Sequence, residues 1–112
     1  MKHKYNAIRT VIDGISFASK REAARYAELK LLERGGVISC LNLQPRFTLQ
    51  AEFVYRGKKY RAIEYVADFE YMERGKIIVE DVKGFVTPIY KLKLKMFLKY
   101  ISSRDYEFRE IK

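Results

Sequence analysis

Two apolar segments separated by a tight bend constrain this chain most. Tyr65-Val66-Ala67-Asp68-Phe69 and Ile77-Ile78-Val79-Glu80-Asp81-Val82 are too apolar for exposed strands, and Glu73-Arg74-Gly75 lies between them as a turn. A hairpin bent there brings Asp68 beside Asp81. The period-2 alternation of a strand then places Asp81 and Lys83 on one face. Charged residues also end many solvated strands. Here, however, two acids and a lysine emerge from the edge of a core, where polar groups usually have a use.

Carboxylates suit a hard, oxygen-preferring cation such as Mg²⁺, and Mn²⁺ fits the same donors. Such a cation lowers the pKa of a bound water, and a nearby lysine can orient that water or stabilise developing phosphate charge. The favoured chemistry is phosphodiester hydrolysis. The doublet Glu80-Asp81 leaves two candidates for the second acid. Spacing to Lys83 and strand parity favour Asp81, with Glu80 on the opposite face unless a bulge intervenes. Glu64 shares a face with Asp68 but lies about 13 Å along the strand, too far for one shared ion. It reads as a neighbour of basic surface residues.

The surrounding segments complete the order of elements. Asp13-Gly14 between Thr10-Val11-Ile12 and Ile15-Ser16-Phe17 reads as a short hairpin. Ser19 and Glu22 form a Ser-x-x-Glu capping pattern that opens a helix through Ala23, Tyr26, Ala27, Leu29 and Leu31, closed by Gly35-Gly36. A short apolar piece, Val37 to Leu43, precedes an alternating strand from Phe47 to Tyr55. After Arg56-Gly57-Lys58, a long strand is expected over Lys59 to Tyr71, then a third over Lys76 to Val82. Thr87-Pro88 starts a second helix, with Ile89, Leu92, Met96, Phe97, Tyr100 and Ile101 on its apolar side and Lys91, Lys95 and Lys99 as a stripe on another. A last strand runs from Tyr106 to Ile111. This order fits an α/β (α+β) fold with a mixed central sheet, a helix on each face and an N-terminal β-hairpin.

A chain of 112 residues forms one domain, residues 1–112, with a single modest core. The formal net charge of +9 is spread over most of the length and favours a polyanionic partner, since cations that meet phosphates release condensed counterions. No segment reaches the roughly 20 apolar residues of a spanning helix, which argues against a membrane, and Met1-Lys2-His3-Lys4 is not followed by an apolar run. The chain reads as cytoplasmic. Cys40 is the sole cysteine and is expected to be a small buried apolar residue; His3 is the sole histidine, near a terminus. Chemistry must therefore rest on carboxylates, lysines and tyrosines. Lys91, Lys95 and Lys99 could track a phosphate backbone or form a solvated face, and Lys93 could act near the mouth of the site. Tyr90 could position a water or phosphate, or be buried with its hydroxyl at the rim. The other tyrosines read mostly as core.

The element order and the Asp68 … Asp81-Val82-Lys83 pattern resemble the PD-(D/E)XK nuclease superfamily over the whole chain. More narrowly, Asp13-Gly14-Ile15-Ser16-Phe17-Ala18-Ser19-Lys20-Arg21-Glu22-Ala23 … Arg25-Tyr26, with Tyr65 to Phe69 and Val79 to Gly84, resembles a group of small phage and prophage proteins placed with that superfamily. Holliday junction resolvases and transposon end-cleaving nucleases are other members. The resemblance implies a restriction-endonuclease-like core, with Asp68 and Asp81 as metal-binding acids and Lys83 as the catalytic lysine. It also implies that Glu22, an acid on the first helix, reaches the metal and takes part in catalysis; closing the capping box with Ser19 is the competing role. Gln44 and Arg46 resemble polar positions that flank the cleft of related nucleases. Ala67 stands where the superfamily name puts a proline.

So small a chain has little room for loops that read base edges, so cleavage is expected to depend on DNA shape, such as a branch or Holliday junction, or on a partner protein of phage replication or recombination. A homodimer would present two sites to a branch. The leading expectation is a Mg²⁺-dependent DNA endonuclease. A nucleic-acid-binding or regulatory module that keeps the fold without turnover is the alternative, although carboxylates facing phosphates would repel them without a metal. An RNA-binding protein using tyrosines as stacking platforms is a third. Dependence on metal separates them.

Overall fold

The structure is a computed structural model and describes residues 9–112, so His3 lies outside the described residues. A short hairpin of β1 (Thr10–Ile12) and β2 (Ile15–Phe17) leads into α1 (Lys20–Arg34), followed by β3 (Ser39–Leu43) and β4 (Arg46–Gln50). Next come β5 (Phe53–Tyr55), β6 (Lys58–Tyr60), β7 (Ile63–Val66), β8 (Phe69–Glu73) and β9 (Lys76–Val82), then α2 (Pro88–Ile101) and β10 (Tyr106–Ile111). The fold is mixed α+β. Its N-terminal hairpin, both helices and the last strand lie where the sequence places them.

Local chemistry accounts for the element ends. Asp13-Gly14, Arg56-Gly57 and Arg74-Gly75 each have positive φ at both residues, the two-residue turn whose twist matches the flanking strands. Ser19 and Thr87 cap the two helices, each hydroxyl accepting a backbone N–H at 3.1 Å, and Pro88 occupies the first turn of α2.

The central sheet has the order β10-β9-β8-β3; β10 runs parallel to β9, and the other neighbours are antiparallel. The segment expected as one strand from Lys59 to Tyr71 is divided into β6, β7 and β8. Its pairing nevertheless continues across the break: β4 pairs with β7 and β3 with β8, and between them Gln44 N–H donates to the Asp68 carbonyl and Ala67 N–H to the Pro45 carbonyl. Gln44 takes φ 51° at this bend. One bent ladder results, with Asp68 at its corner.

The bend divides the core. Phe69 and Tyr71 pack with Phe17, Tyr26, Leu29 and Ile78 beneath α1, whereas Tyr65 and Ala67 pack with Phe47, Val79, Phe97 and Ile101 beneath α2. Residues of one parity thus serve opposite faces, which a straight strand would not allow. Phe97 is fully buried, its ring 4.6 Å from Phe47 and 4.8 Å from Tyr65. Burying each such side chain contributes about 1.5–3 kcal/mol.

Three expectations about burial are corrected. Cys40 is exposed, because the β3–β8 register shifts between Ser39 and Asn42 and Cys40 takes φ 57° there. Ile89 and Leu92 are exposed; α2 buries Tyr90, Phe97 and Ile101, with Leu94 packed against them. Tyr55, Tyr60 and Tyr100 are exposed rather than core.

A buried ion pair joins α1 to the sheet. Glu80 is fully buried on the α1 side of β9, where Arg25 donates from Nε and Nη2 to its two oxygens at 2.8 and 2.6 Å and the Tyr71 hydroxyl adds a further donor. Removing the cation alone leaves an uncompensated charge in the core. Arg25→Ala should therefore lower unfolding free energy by about 3–5 kcal/mol, while the Arg25→Met/Glu80→Met double variant recovers a large part of it. Urea unfolding followed by circular dichroism measures both; equal loss in single and double variants would refute the pairing.

Candidate active site

The β8–β9 hairpin sets the relation between the two acids. Phe69 pairs with Glu80 and Glu73 with Lys76, so Asp68, the next residue outward, stands opposite Asp81. The Asp68 N–H donates to the Glu80 carbonyl at 3.1 Å, and its Oδ2 accepts the Val82 N–H at 2.7 Å. Its carboxylate is thus pinned across the hairpin by backbone.

Asp81 is fully buried on the face of β9 opposite Glu80. The Tyr65 hydroxyl donates to Oδ2, whereas Oδ1 is buried without any hydrogen-bond partner. The nearest compensating charge is the Lys83 ammonium, 3.7 Å from Oδ1. Burial chiefly, the charge of Asp68 next and a hydrogen bond between the two carboxyl groups push Asp81 above the usual carboxylate range, while the Tyr65 and Lys83 contacts draw it down. Burial and the Asp81 charge raise Tyr65 in turn, so it stays a protonated donor.

Lys83 is held at the strand end. Its N–H donates to the Ile111 carbonyl at 2.9 Å, and its ammonium sits 4.6 Å from the centre of the Tyr90 ring. The Tyr90 hydroxyl donates to Glu110 at 2.8 Å, so this tyrosine is a buried ring with its hydroxyl at the rim. The first turn of α2 therefore fixes the lysine beside Asp81.

Glu22 approaches Asp68 from the α1 side. Its backbone N–H donates to Ser19 Oγ, and its carboxylate interacts with the backbone of Ala18. Burial first, and the charge of Asp68 second, raise its pKa. Glu22, Gln44 and Asp68 line one cleft of about 120 Å³, walled by Ile15, Phe17 and Leu43. Ser19 thus caps the helix through the Glu22 N–H, while the Glu22 carboxylate meets the Ala18 backbone and lies near Asp68.

The basic residues are distributed less closely. Arg46 is exposed and paired with Glu64 at 3.2 Å, and it does not line the Glu22–Asp68 cleft. Lys91, Lys95 and Lys99 form an exposed stripe, with Lys93 half-buried; Lys95 and Lys99 border a groove with Leu49, Leu92, Met96 and Tyr100. Tyr65 as a donor to Asp81 was not legible in the sequence, since its strand position alone reads as core.

The fit of a divalent cation can be tested on these atoms. Among the described residues no three His, Cys, Asp or Glu side chains come together as a group that could hold a metal ion, so Glu22 does not join Asp68 and Asp81 as the third ligand expected of it. Asp68 and Asp81 nevertheless lie side by side, and the orphaned Asp81 Oδ1 lacks the donor that a buried carboxylate oxygen requires. Mg²⁺ characteristically takes one or two carboxylates and completes its shell with water and substrate phosphate, so the pair fits.

The raised Asp81 pKa has a consequence for stability. The native state holds this proton more tightly than the unfolded chain, so metal-free protein should lose stability as pH rises from 3.8, the ordinary value, through the higher native one. Asp81→Asn removes that dependence and should stabilise the metal-free protein near neutral pH by about 1–3 kcal/mol, the scale of an unsatisfied buried group. Thermal melts in chelator across this range decide it, and a variant melting below wild type at neutral pH would contradict the burial argument.

Among the described residues, no helix is long and apolar enough to cross a membrane. No curated protein matches the chain. A family model described as "Protein of unknown function (DUF1064)" matches residues 2–112, and the chain belongs to that family.

Proposed function

We propose that this chain is a divalent-metal-dependent DNA endonuclease that hydrolyses phosphodiester bonds and selects its substrate by DNA shape, acting in the cytoplasm on branched intermediates of phage replication or recombination. One observation carries the reading: a buried carboxylate, Asp81, keeps one oxygen without a donor, beside a second carboxylate and a lysine. Desolvating such a group without a donor costs stability. A cation bound there would offset it. The resemblance to PD-(D/E)XK nucleases and the net charge of +9 support the same reading.

Each side chain has a definable task. Asp68 and Asp81 would hold Mg²⁺ or Mn²⁺, each with one oxygen already fixed, by the Val82 N–H and the Tyr65 hydroxyl respectively. When bound, the cation supplies a water of lowered pKa and neutralises phosphate charge. The Lys83 ammonium, seated between Asp81 and the Tyr90 ring, orients the attacking water and offsets charge developing on the phosphate. Glu22 adds negative charge on the far side of Asp68 and favours a cation over an anion in the cleft. Lys91, Lys93 and Lys95 are suited to phosphates of the flanking duplex.

Labelled linear, flap and four-way-junction DNA should be cut with Mg²⁺ or Mn²⁺ and left intact in chelator. Lys83→Ala should lower the rate by about 10²–10³-fold in protein that remains folded, and Asp81→Asn should abolish cleavage while remaining folded. Wild-type protein that binds these DNAs but cuts none with either metal would favour a non-catalytic binding module instead.

A further inference from the structure

Strands β5 and β6 form a hairpin that joins neither core cluster, and every residue from 51 to 62 is exposed. It nevertheless carries Phe53, Val54, Tyr55 and Tyr60, with Tyr55 58% and Phe53 44% exposed. A two-stranded hairpin alone gains little stability, and bare aromatics on it call for a partner. The register gives these residues a common face: Phe53 pairs with Tyr60 and Tyr55 with Lys58, while Val54 and Lys59 pair on the other side. Phe53 and Tyr60 stack at 5.0 Å and within 9° of parallel.

Cations accompany these rings. The Arg56 guanidinium lies 5.6 Å from the centre of the Tyr55 ring and the Lys58 ammonium 5.2 Å from that of Tyr60. From Glu52 to Arg61 there are four basic residues and one acid, Glu52, which pairs with Lys59 at 3.2 Å. Flat aromatic faces interleaved with cations suit a polyanion whose bases offer their own faces. A second copy of the chain is disfavoured, because two such arms repel each other. The β4–β7 ladder lies between this hairpin and Asp68, and the eight strand rises from Tyr60 to Asp68 span at most about 26 Å.

We propose that the Phe53–Tyr60 hairpin is a DNA-binding arm that stacks unpaired bases on its Phe53, Tyr55 and Tyr60 face while Arg56 and Lys58 take the flanking phosphates. The inference rests on the DNA reading above and extends it to a surface outside the candidate active site. An arm of this kind favours single strands, flaps and branches over fully paired duplex, in which base faces are already stacked.

Fluorescence anisotropy in chelator, with labelled oligothymidine of about 20 nucleotides, a flap and a blunt duplex, tests this without reading cleavage. Wild-type protein should prefer the oligothymidine and flap. The Tyr55→Ala/Tyr60→Ala variant should weaken binding to both by about 10–100-fold and to blunt duplex by less than about threefold. Its melting temperature should not change, and Tyr55→Phe/Tyr60→Phe should retain wild-type binding. No single-strand preference in the wild type, no loss in the alanine variant, or an equal loss on duplex overturns the proposal. So does a wild-type dimer in sedimentation that the alanine variant dissociates with DNA preference unchanged. If the wild type cuts nothing yet loses single-strand binding in the alanine variant, the nuclease reading fails and the arm stands. Metal-dependent cleavage with unaltered binding gives the reverse.

Discussion

The two-residue turn at Arg74 and Gly75 sets the register of β8 against β9, and a slip of one residue would exchange the faces of Glu80 and Asp81. Everything polar in the interior follows from that alignment. Glu80 meets Arg25 and Tyr71 beneath α1, Asp81 meets Tyr65 and Lys83 beneath α2, and Asp68 is carried opposite Asp81. Apolar alternation holds the register in place, because Ile78 and Val79 are buried in different clusters on opposite faces of the sheet. Moving either would drive a carboxylate into a hydrophobic cluster.

Neighbouring carboxylates of β9 therefore meet opposite fates. Glu80 is matched on both oxygens by a guanidinium and a hydroxyl, an arrangement that ties helix to sheet. Asp81 is matched on one oxygen only, with an ammonium 3.7 Å from the other. A fold under pressure for stability alone would have neutralised the second as it did the first. Asp81 Oδ1 shares this lack of a hydrogen-bond donor with Glu73 Oε1, but the Glu73 oxygen lies 3.0 Å from the Arg109 guanidinium, whereas Asp81 has only the Lys83 ammonium at 3.7 Å.

The bend at Gln44 and Asp68 contributes equally. By turning the β4–β7 ladder away from β9, it leaves Asp68 at a corner bordered by Glu22, instead of buried mid-strand. It also directs the same ladder toward the exposed β5–β6 hairpin, a separate two-stranded sheet joined to it through residues 51–52 and 61–62, so the acidic site and the aromatic, basic arm are linked by short stretches of chain.

Much of this was legible in the sequence because the forces are local. Asp-Gly and Arg-Gly turns, Ser and Thr caps, and the spacing of Asp68, Asp81 and Lys83 act over a few residues and determined the hairpins, both helices and the alignment of the acids. The same local logic assigned Glu80 and Asp81 to opposite faces. Tertiary structure alone decided which partners those faces meet. Arg25 lies 55 residues from Glu80 and Tyr65 lies 16 from Asp81, and no local spacing encodes such contacts. It also decided where apolar residues find no core: Ile89, Leu92, Tyr55 and Tyr60 carry the right chemistry for burial but stand beyond the reach of the sheet, and Cys40 is turned out by a bulge. Periodicity specifies which residues share a face; only packing determines whether anything lies against it.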